Sequence, residues 1–117
     1  MNIPKPTDDD KEYFRSLVPE DPRVEVKPMF GNLGGFVNGN MFMGLFGADV
    51  GVKLPDADRE RLLAQKGAGP FGPEERPMGG YATLPTSWRK SPAKSEPWVS
   101  KALEHVGSLP PKKAKKK

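Results

Sequence analysis

The chain contains no cysteine. A disulfide framework, an iron–sulfur centre and a thiolate zinc site are therefore excluded, and a reducing compartment fits best. Histidine is nearly as scarce: His105 stands alone, so a multi-histidine metal site is impossible and any metal would need mainly carboxylate ligands. Long apolar runs are missing too. Spanning a bilayer takes about 20 apolar residues, whereas the longest apolar segment, Met41 to Phe46, is short and interrupted by Gly44. No membrane association is expected. The first ten residues carry prolines and the acidic run Asp8-Asp9-Asp10 where a secretory signal needs a positive start and an apolar stretch. The expected location is the cytoplasm.

Turn-forming residues are abundant. Fourteen prolines and 13 glycines in 117 residues imply short elements joined by tight turns, and the length allows one hydrophobic core. One domain is expected over residues 1–109, followed by a lysine-rich tail, 110–117, with too little to bury to be ordered. The net charge of +4 resides in that tail. Lys112, Lys113, Lys115, Lys116 and Lys117 are five of the 19 basic residues, which leaves 14 against 15 acidic ones. The domain itself is near neutral, so the basic balance describes a tail and not a binding face.

Thr7 before three aspartates is a helix opening, with a hydroxyl cap and acidic charge at the positive end of the dipole. The first helix is expected over Asp8 to Leu17, with Tyr13, Phe14 and Leu17 on one face and Pro19 and Pro22 preventing continuation. From Arg23 the period changes to two, with Val24 and Val26 alternating with charged residues. Phe36-Val37, Asn38-Gly39 and Asn40 to Phe46 form a hairpin pattern, since Asn-Gly supplies positive φ angles. Gly47-Ala48-Asp49 is the next reversal, and Val50, Val52 and Leu54 alternate again. Residues 23–54 are thus expected as a four-strand antiparallel meander.

A second helix is expected over about Ala57 to Lys66, with Leu62 and Leu63 inward and Gly67 at its end. In the Gly/Pro-rich loop that follows, Phe71 pins the chain to the core. A fifth strand spans Met78 to Leu84, Thr86 to Lys94 is loop, and a third helix starts at Ser95-Glu96-Pro97. Trp98, Val99, Ala102, Leu103 and Val106 form its apolar stripe, and Gly107 closes it. The fold class is α+β, with about five antiparallel strands and three helices in the order α-β-β-β-β-α-β-α.

The segment Lys27-Pro28-Met29-Phe30-Gly31-Asn32-Leu33-Gly34-Gly35-Phe36, followed by Gly39-Asn40-Met41-Phe42, resembles the opening block of TfoX/Sxy N-terminal domains, whose pattern is basic-x-Met-Phe-Gly-Gly and then a Gly-x-Met-Phe hairpin. Val52-Lys53-Leu54, Pro70-Phe71, Met78, Tyr81 and Leu84-Pro85 agree with later parts of the pattern, and Asn32 stands where the family usually has a second glycine. The family-motif residues are Lys27, Met29, Phe30, Gly31, Gly34, Gly39, Met41 and Phe42. The resemblance covers residues 10–107 and implies a stand-alone TfoX N-terminal-like protein. It also implies a secretion-chaperone-like α+β fold, helices packed on one curved sheet. Full-length members act with the cyclic-AMP receptor protein at promoters and carry a second domain. The family supplies no catalytic residues to transfer, and no catalytic, cofactor or metal site is expected.

The motifs that suggest chemistry each have a plainer account. His105 in the last turn of the third helix suits carbonyls at the negative end of the dipole, and no nucleophile-elbow pattern accompanies it. Gly31 to Gly35 lacks the Gly-Lys-Ser/Thr and the following helix of a phosphate loop. A turn with positive φ and close backbone approach is expected there. Gly35-Phe36-Val37 lacks the basic residue and second aromatic of an RNA-recognition strand, so Phe30, Phe36, Phe42 and Phe46 are expected in the core. Trp88, beside Arg89 and Lys90, has two readings: contact with a partner protein or nucleic acid, or folding back over the sheet edge. The lysine tail likewise either keeps the chain solvated or makes a weak, non-specific contact with phosphates. The expected function is a non-enzymatic module that binds an unidentified protein partner in a regulatory role. The alternative is a nucleic-acid-associated transcription accessory factor using the tail.

Overall fold

The computed structural model describes residues 5–29, 31–72 and 79–109. It opens with α1, Asp8–Leu17, closed at its start by a reciprocal capping box. The Asp10 N–H donates to Thr7 Oγ1 at 3.1 Å, and the Thr7 N–H donates to Asp10 Oδ2 at 2.9 Å. Phe14 and Leu17 are buried and Tyr13 packs beside them.

The meander follows as expected: β1 Val24–Met29, β2 Asn32–Val37, β3 Asn40–Phe46 and β4 Asp49–Lys53. Asn38 and Gly39 turn β2 into β3 with φ of 54° and 82°, the pair of positive angles that matches the twist of adjoining strands. Then come α2 Asp56–Leu63, β5 Gly69–Pro70, β6 Tyr81–Thr83, a 3₁₀ turn Thr86–Lys90 and α3 Pro92–Gly107. The sheet is antiparallel and six-stranded, in the order β1-β2-β3-β4-β6-β5. Helices α1 and α3 pack together over β3, and α3 extends onto β2 and β4, while α2 lies against β6. The core between the layers holds Phe14, Leu33, Val37, Phe42, Met43, Val52, Leu62, Val99, Ala102 and Val106.

The α+β class, three helices and antiparallel sheet agree with expectation, and several boundaries do not. A sixth strand exists because Gly69–Pro70 pairs with Ala82 and Thr83, helped by the Thr83 hydroxyl, which donates to the Pro70 carbonyl at 2.8 Å. The strand expected from Met78 spans Tyr81–Thr83, and Met78 lies outside the described residues. Helix α2 stops at Leu63, whose side chain is 41% exposed instead of inward; Leu62 alone reaches the core from this pair. Helix α3 begins at Pro92, three residues before Ser95. Proline at the first helical position is pre-set for the helix. Pro97 deprives the Ala93 carbonyl of a partner inside α3, but both residues are exposed to water that can supply one. The remainder of the expected loop is the 3₁₀ turn.

Candidate interaction surface

Side chains alternate across a strand, so the face of the sheet that receives the helices leaves a second, outer face. On the helix side lie Leu33, Met43, Leu45, Val50, Val52 and Ala82. A bulge between Gly35 and Phe36 then changes the phase: Gly35 pairs with Met43 and Phe36 with Met41, leaving Phe42 as the extra residue of β3. Phe42 turns into the core, fully buried, and its ring lies 3.5 Å from where a Gly35 Cβ would be. Met41, which strict alternation would put with Met43, belongs to the outer face. Its side chain is 3.3 Å from the Cβ position of Gly44.

The outer face is built around glycine. Register aligns Lys27, Gly34, Gly44, Gly51, Thr83 and Gly69 in one transverse row. The Phe71 ring lies over Gly51 and Gly44 in this row; a Cβ on Gly51 would sit 2.3 Å from it and one on Gly44 3.4 Å from it. Phe71 is buried as expected, 3% exposed, but against the outer face and not in the core beneath the helices; it stands edge-on to Phe46 with ring centroids 6.2 Å apart and 6.0 Å from Tyr81. The Tyr81 hydroxyl donates to the Met41 carbonyl at 2.7 Å, and burial pushes its pKa up to about 12. Two lysines flank the rings: Lys27 Nζ lies 5.4 Å from the Phe36 centroid and Lys53 Nζ 5.8 Å from that of Tyr81. Phe36, Met41, Phe46 and Tyr81 remain half-buried. Of the phenylalanines expected in the core, Phe42 alone is fully inside, Phe36 and Phe46 sit on the outer face, and Phe30 lies outside the described residues.

The Trp88 segment is bound into the fold. Trp88 is half-buried against the core. Arg89 Nη1 donates to Asp10 Oδ1 at 2.9 Å, and the guanidinium lies 4.7 Å from the Tyr13 ring centroid, which ties the 3₁₀ turn to α1. Asp10 is held below the usual carboxylate range by the Thr7 backbone N–H and then by Arg89, against an opposing contribution from burial. Lys90 is exposed. The structure therefore brings Trp88 and Arg89 to internal partners and leaves Lys90 to solvent.

The family-motif residues shape β1 to β3. Lys27 lies on the outer face, Met29 ends β1, Gly31 turns at φ 82°, Gly34 sits in the glycine row, Gly39 makes the hairpin turn, and Met41 and Phe42 straddle the bulge. The turn expected over Gly31 to Gly35 is confined to Gly31; Asn32 to Gly35 are strand. Close approach occurs at Gly35, where a Cβ would come within 2.8 Å of the Met43 side chain. Asn32 is buried, and its Oδ1 accepts from the Gly47 N–H at 2.8 Å, so it fastens the start of β2 to the β3–β4 turn. His105 lines an open cleft of about 260 Å³ between α2 and α3 with Pro55, Asp58, Lys101 and Glu104. Lys112, Lys113, Lys115, Lys116 and Lys117 lie outside the described residues. Among the described residues, no helix is long and apolar enough to cross a membrane, and no three His, Asp or Glu side chains are grouped to hold a metal.

Three features escaped the sequence reading: the Gly34–Gly44–Gly51 alignment, the Tyr81 to Met41 bond, and the Asp10–Arg89 pair. The aromatic-lysine pairs on the outer face could have been sought in the alternation Glu25, Lys27 against Val24, Val26, which already puts the charges opposite the core.

Helices on one side of an antiparallel meander, with rings and lysines on the other, define a small α+β sheet-face module. The family described as the TfoX N-terminal domain matches residues 12–106, and the chain belongs to that family. No curated protein matches the chain.

Proposed function

We propose that the chain is a non-enzymatic interaction module that docks a protein partner on the outer face of its sheet in a regulatory role. The observation that carries this reading is the half-buried group Phe36, Met41, Phe46 and Tyr81 on a face that, among the described residues, Phe71 covers in part and no helix covers, bordered by Lys27 and Lys53. Aromatic and methionine side chains that keep part of their surface in water are the residues that anchor protein interfaces. Membership of the TfoX N-terminal family supports a place in competence-type regulation in a bacterial cytoplasm. The Trp88, Arg89, Lys90 surface is a weaker anchor because two of its three side chains already have partners within the chain.

The reading is tested by retention of partner proteins on the immobilised full chain, compared with Phe36→Ala and Trp88→Ala. Loss with Phe36→Ala and retention with Trp88→Ala supports the sheet face; the reverse pattern moves the site to the 3₁₀ turn. Partners indifferent to both substitutions sink the reading.

One sequence feature favours a second reading, a nucleic-acid accessory factor: five lysines within residues 112–117. Five engaged phosphates give a salt slope of about −4.5 on duplex DNA. Anisotropy of labelled duplex DNA with the full chain and with residues 1–109, over a salt series, tests it. Binding that vanishes in the truncated chain assigns the contact to the tail, and binding that survives assigns it to the domain.

A further inference from the structure

The Phe71 ring sits in a box built by other elements. The backbone of Gly51 and Gly44 is its floor, with the Met41 side chain beside Gly44, and Phe46 and Tyr81 stand around the ring. These residues belong to β3, β4 and β6. The bond from the Tyr81 hydroxyl to the Met41 carbonyl ties two sides of the box together without help from Phe71.

The segment that delivers the ring is held lightly. Strand β5 is two residues long, and one of them is a proline with no N–H to give a ladder. Its register pairs are Gly69 with Thr83 and Pro70 with Ala82, and the Thr83 hydroxyl adds one bond to the Pro70 carbonyl. Gly67 and Gly72, at φ 92° and 102°, stand on either side of it. Glycine enters that conformation at no steric cost, and such positions absorb the backbone rotation of a hinge. Phe71 itself stands apart from the core beneath the helices.

We propose that the box is an anchor site for an aromatic side chain of a protein partner, and that Phe71 fills it in cis and is exchanged for the partner's ring. The proposal rests on reading the outer face as the protein-docking surface; it names the anchor and its control. The chemistry of the incoming group is that of the present occupant: an uncharged planar ring on an extended segment, Gly69-Pro70-Phe71-Gly72, antiparallel to β6. A floor without Cβ atoms admits a flat ring close to two backbones, and Phe46 meets it edge-on, a geometry that aromatic pairs favour. An extended partner segment can pair with β6 in place of β5 and lay its own ring on the same glycines, as peptides add to a sheet. Ring for ring, the apolar area buried is unchanged. The exchange is therefore set by the ladder and by the tether, which gives Phe71 an effective concentration of order millimolar. A partner's apparent affinity is reduced by the fraction of chains in which the box is free, so loosening β5 strengthens binding.

Amide-resolved NMR titration of the full chain with N-acetyl-phenylalanine amide tests this, with N-acetyl-leucine amide for comparison. In Phe71→Ala the phenyl probe should shift the Gly44, Gly51 and Tyr81 amides, with a dissociation constant at least about 10-fold lower than in the wild type. The leucine probe should bind at least about 5-fold more weakly. Gly51→Val in the same background puts a side chain into the box and should abolish the shifts. Thr83→Val removes the bond at Pro70 and leaves the box intact, so it should tighten the phenyl probe at least about 2-fold over the wild type. This variant reads the exchange even where Phe71→Ala fails to fold, and an unchanged affinity in it overturns the control by β5. A folded Phe71→Ala chain without the shifts, equal binding of the two probes, or binding that survives Gly51→Val overturns the anchor site. On the immobilised full chain, Phe71→Ala should retain partner proteins more strongly than the wild type. Retention lost in Phe36→Ala but unchanged in Phe71→Ala overturns the ring exchange and leaves the docking reading standing; partners indifferent to both overturn the two together.

Discussion

At the residue scale, Gly51 has no side chain because the Phe71 ring occupies the place where one would begin, 2.3 Å from an ideal Cβ. A methyl group there has to move a buried ring. Gly51→Ala is therefore expected to destabilise the fold by about 2–3 kcal/mol. In the Phe71→Ala background the same methyl should be tolerated, giving a coupling of at least about 1 kcal/mol in a urea-unfolding double-mutant cycle. Additive effects would show that ring and glycine are independent. Tyr81 provides the second case. Tyr81→Phe removes the bond to the Met41 carbonyl and should cost about 1 kcal/mol. The folded-state pKa of Tyr81 is raised to about 12, above its value of 10.0 without the fold. An acid raised in this way favours the folded state below the unfolded pKa, and that contribution is lost as pH rises from there through the folded value. Stability measured from pH 9 to about pH 12 should fall more steeply in the wild type than in Tyr81→Phe.

At the element scale, α1 is held to the 3₁₀ turn by Asp10 and Arg89, whose side chains are 11% and 30% exposed. Because the pair is partly open to water, Arg89→Ala is expected to cost only about 1 kcal/mol. Its pH behaviour is more diagnostic. Asp10 has a lowered folded pKa, so its contribution is present above the ordinary carboxylate pKa of 3.8 and is lost as pH falls through the lower folded value. Urea midpoints below pH 4 should drop less in Asp10→Asn than in the wild type; equal slopes would mean that the pair does not stabilise the fold. The edge strand β1 shows a different kind of control. The Val24 N–H donates to the Asp21 carbonyl at 2.9 Å, and Pro28, on the same alternating positions, has no N–H. An extra strand would find Val26 as the remaining outward donor among these positions. Such blunting disfavours edge pairing along β1.

At the scale of the whole molecule, the last described residue, Leu109, packs on the core, and its N–H donates to the Val106 carbonyl at 3.1 Å. A chain of residues 1–109 should keep the wild-type thermal midpoint, whereas Leu109→Ala should lose about 1–2 kcal/mol; a lower midpoint for the 1–109 chain would place stabilising contacts beyond Leu109. Much of the architecture was legible before the tertiary structure. Thr7 with the aspartates marked the bounds of α1, Asn38-Gly39 marked the hairpin, and the Val99, Ala102, Leu103, Val106 spacing marked α3, because caps, turns and amphipathic periods act over a few residues. The motif around Lys27 and Met41 also carried the family. The outer face was not legible. Its composition depends on the bulge that sends Phe42 inward and Met41 outward, on the register that aligns three glycines from three strands, and on Phe71 returning from beyond α2 to cover two of them, Gly44 and Gly51. Arg89 meeting Asp10 is of the same kind. Local order was determined by the sequence read along the chain; which side chains share a surface was decided by the tertiary structure, because one residue of register or one bulge moves a side chain to the opposite face of the sheet.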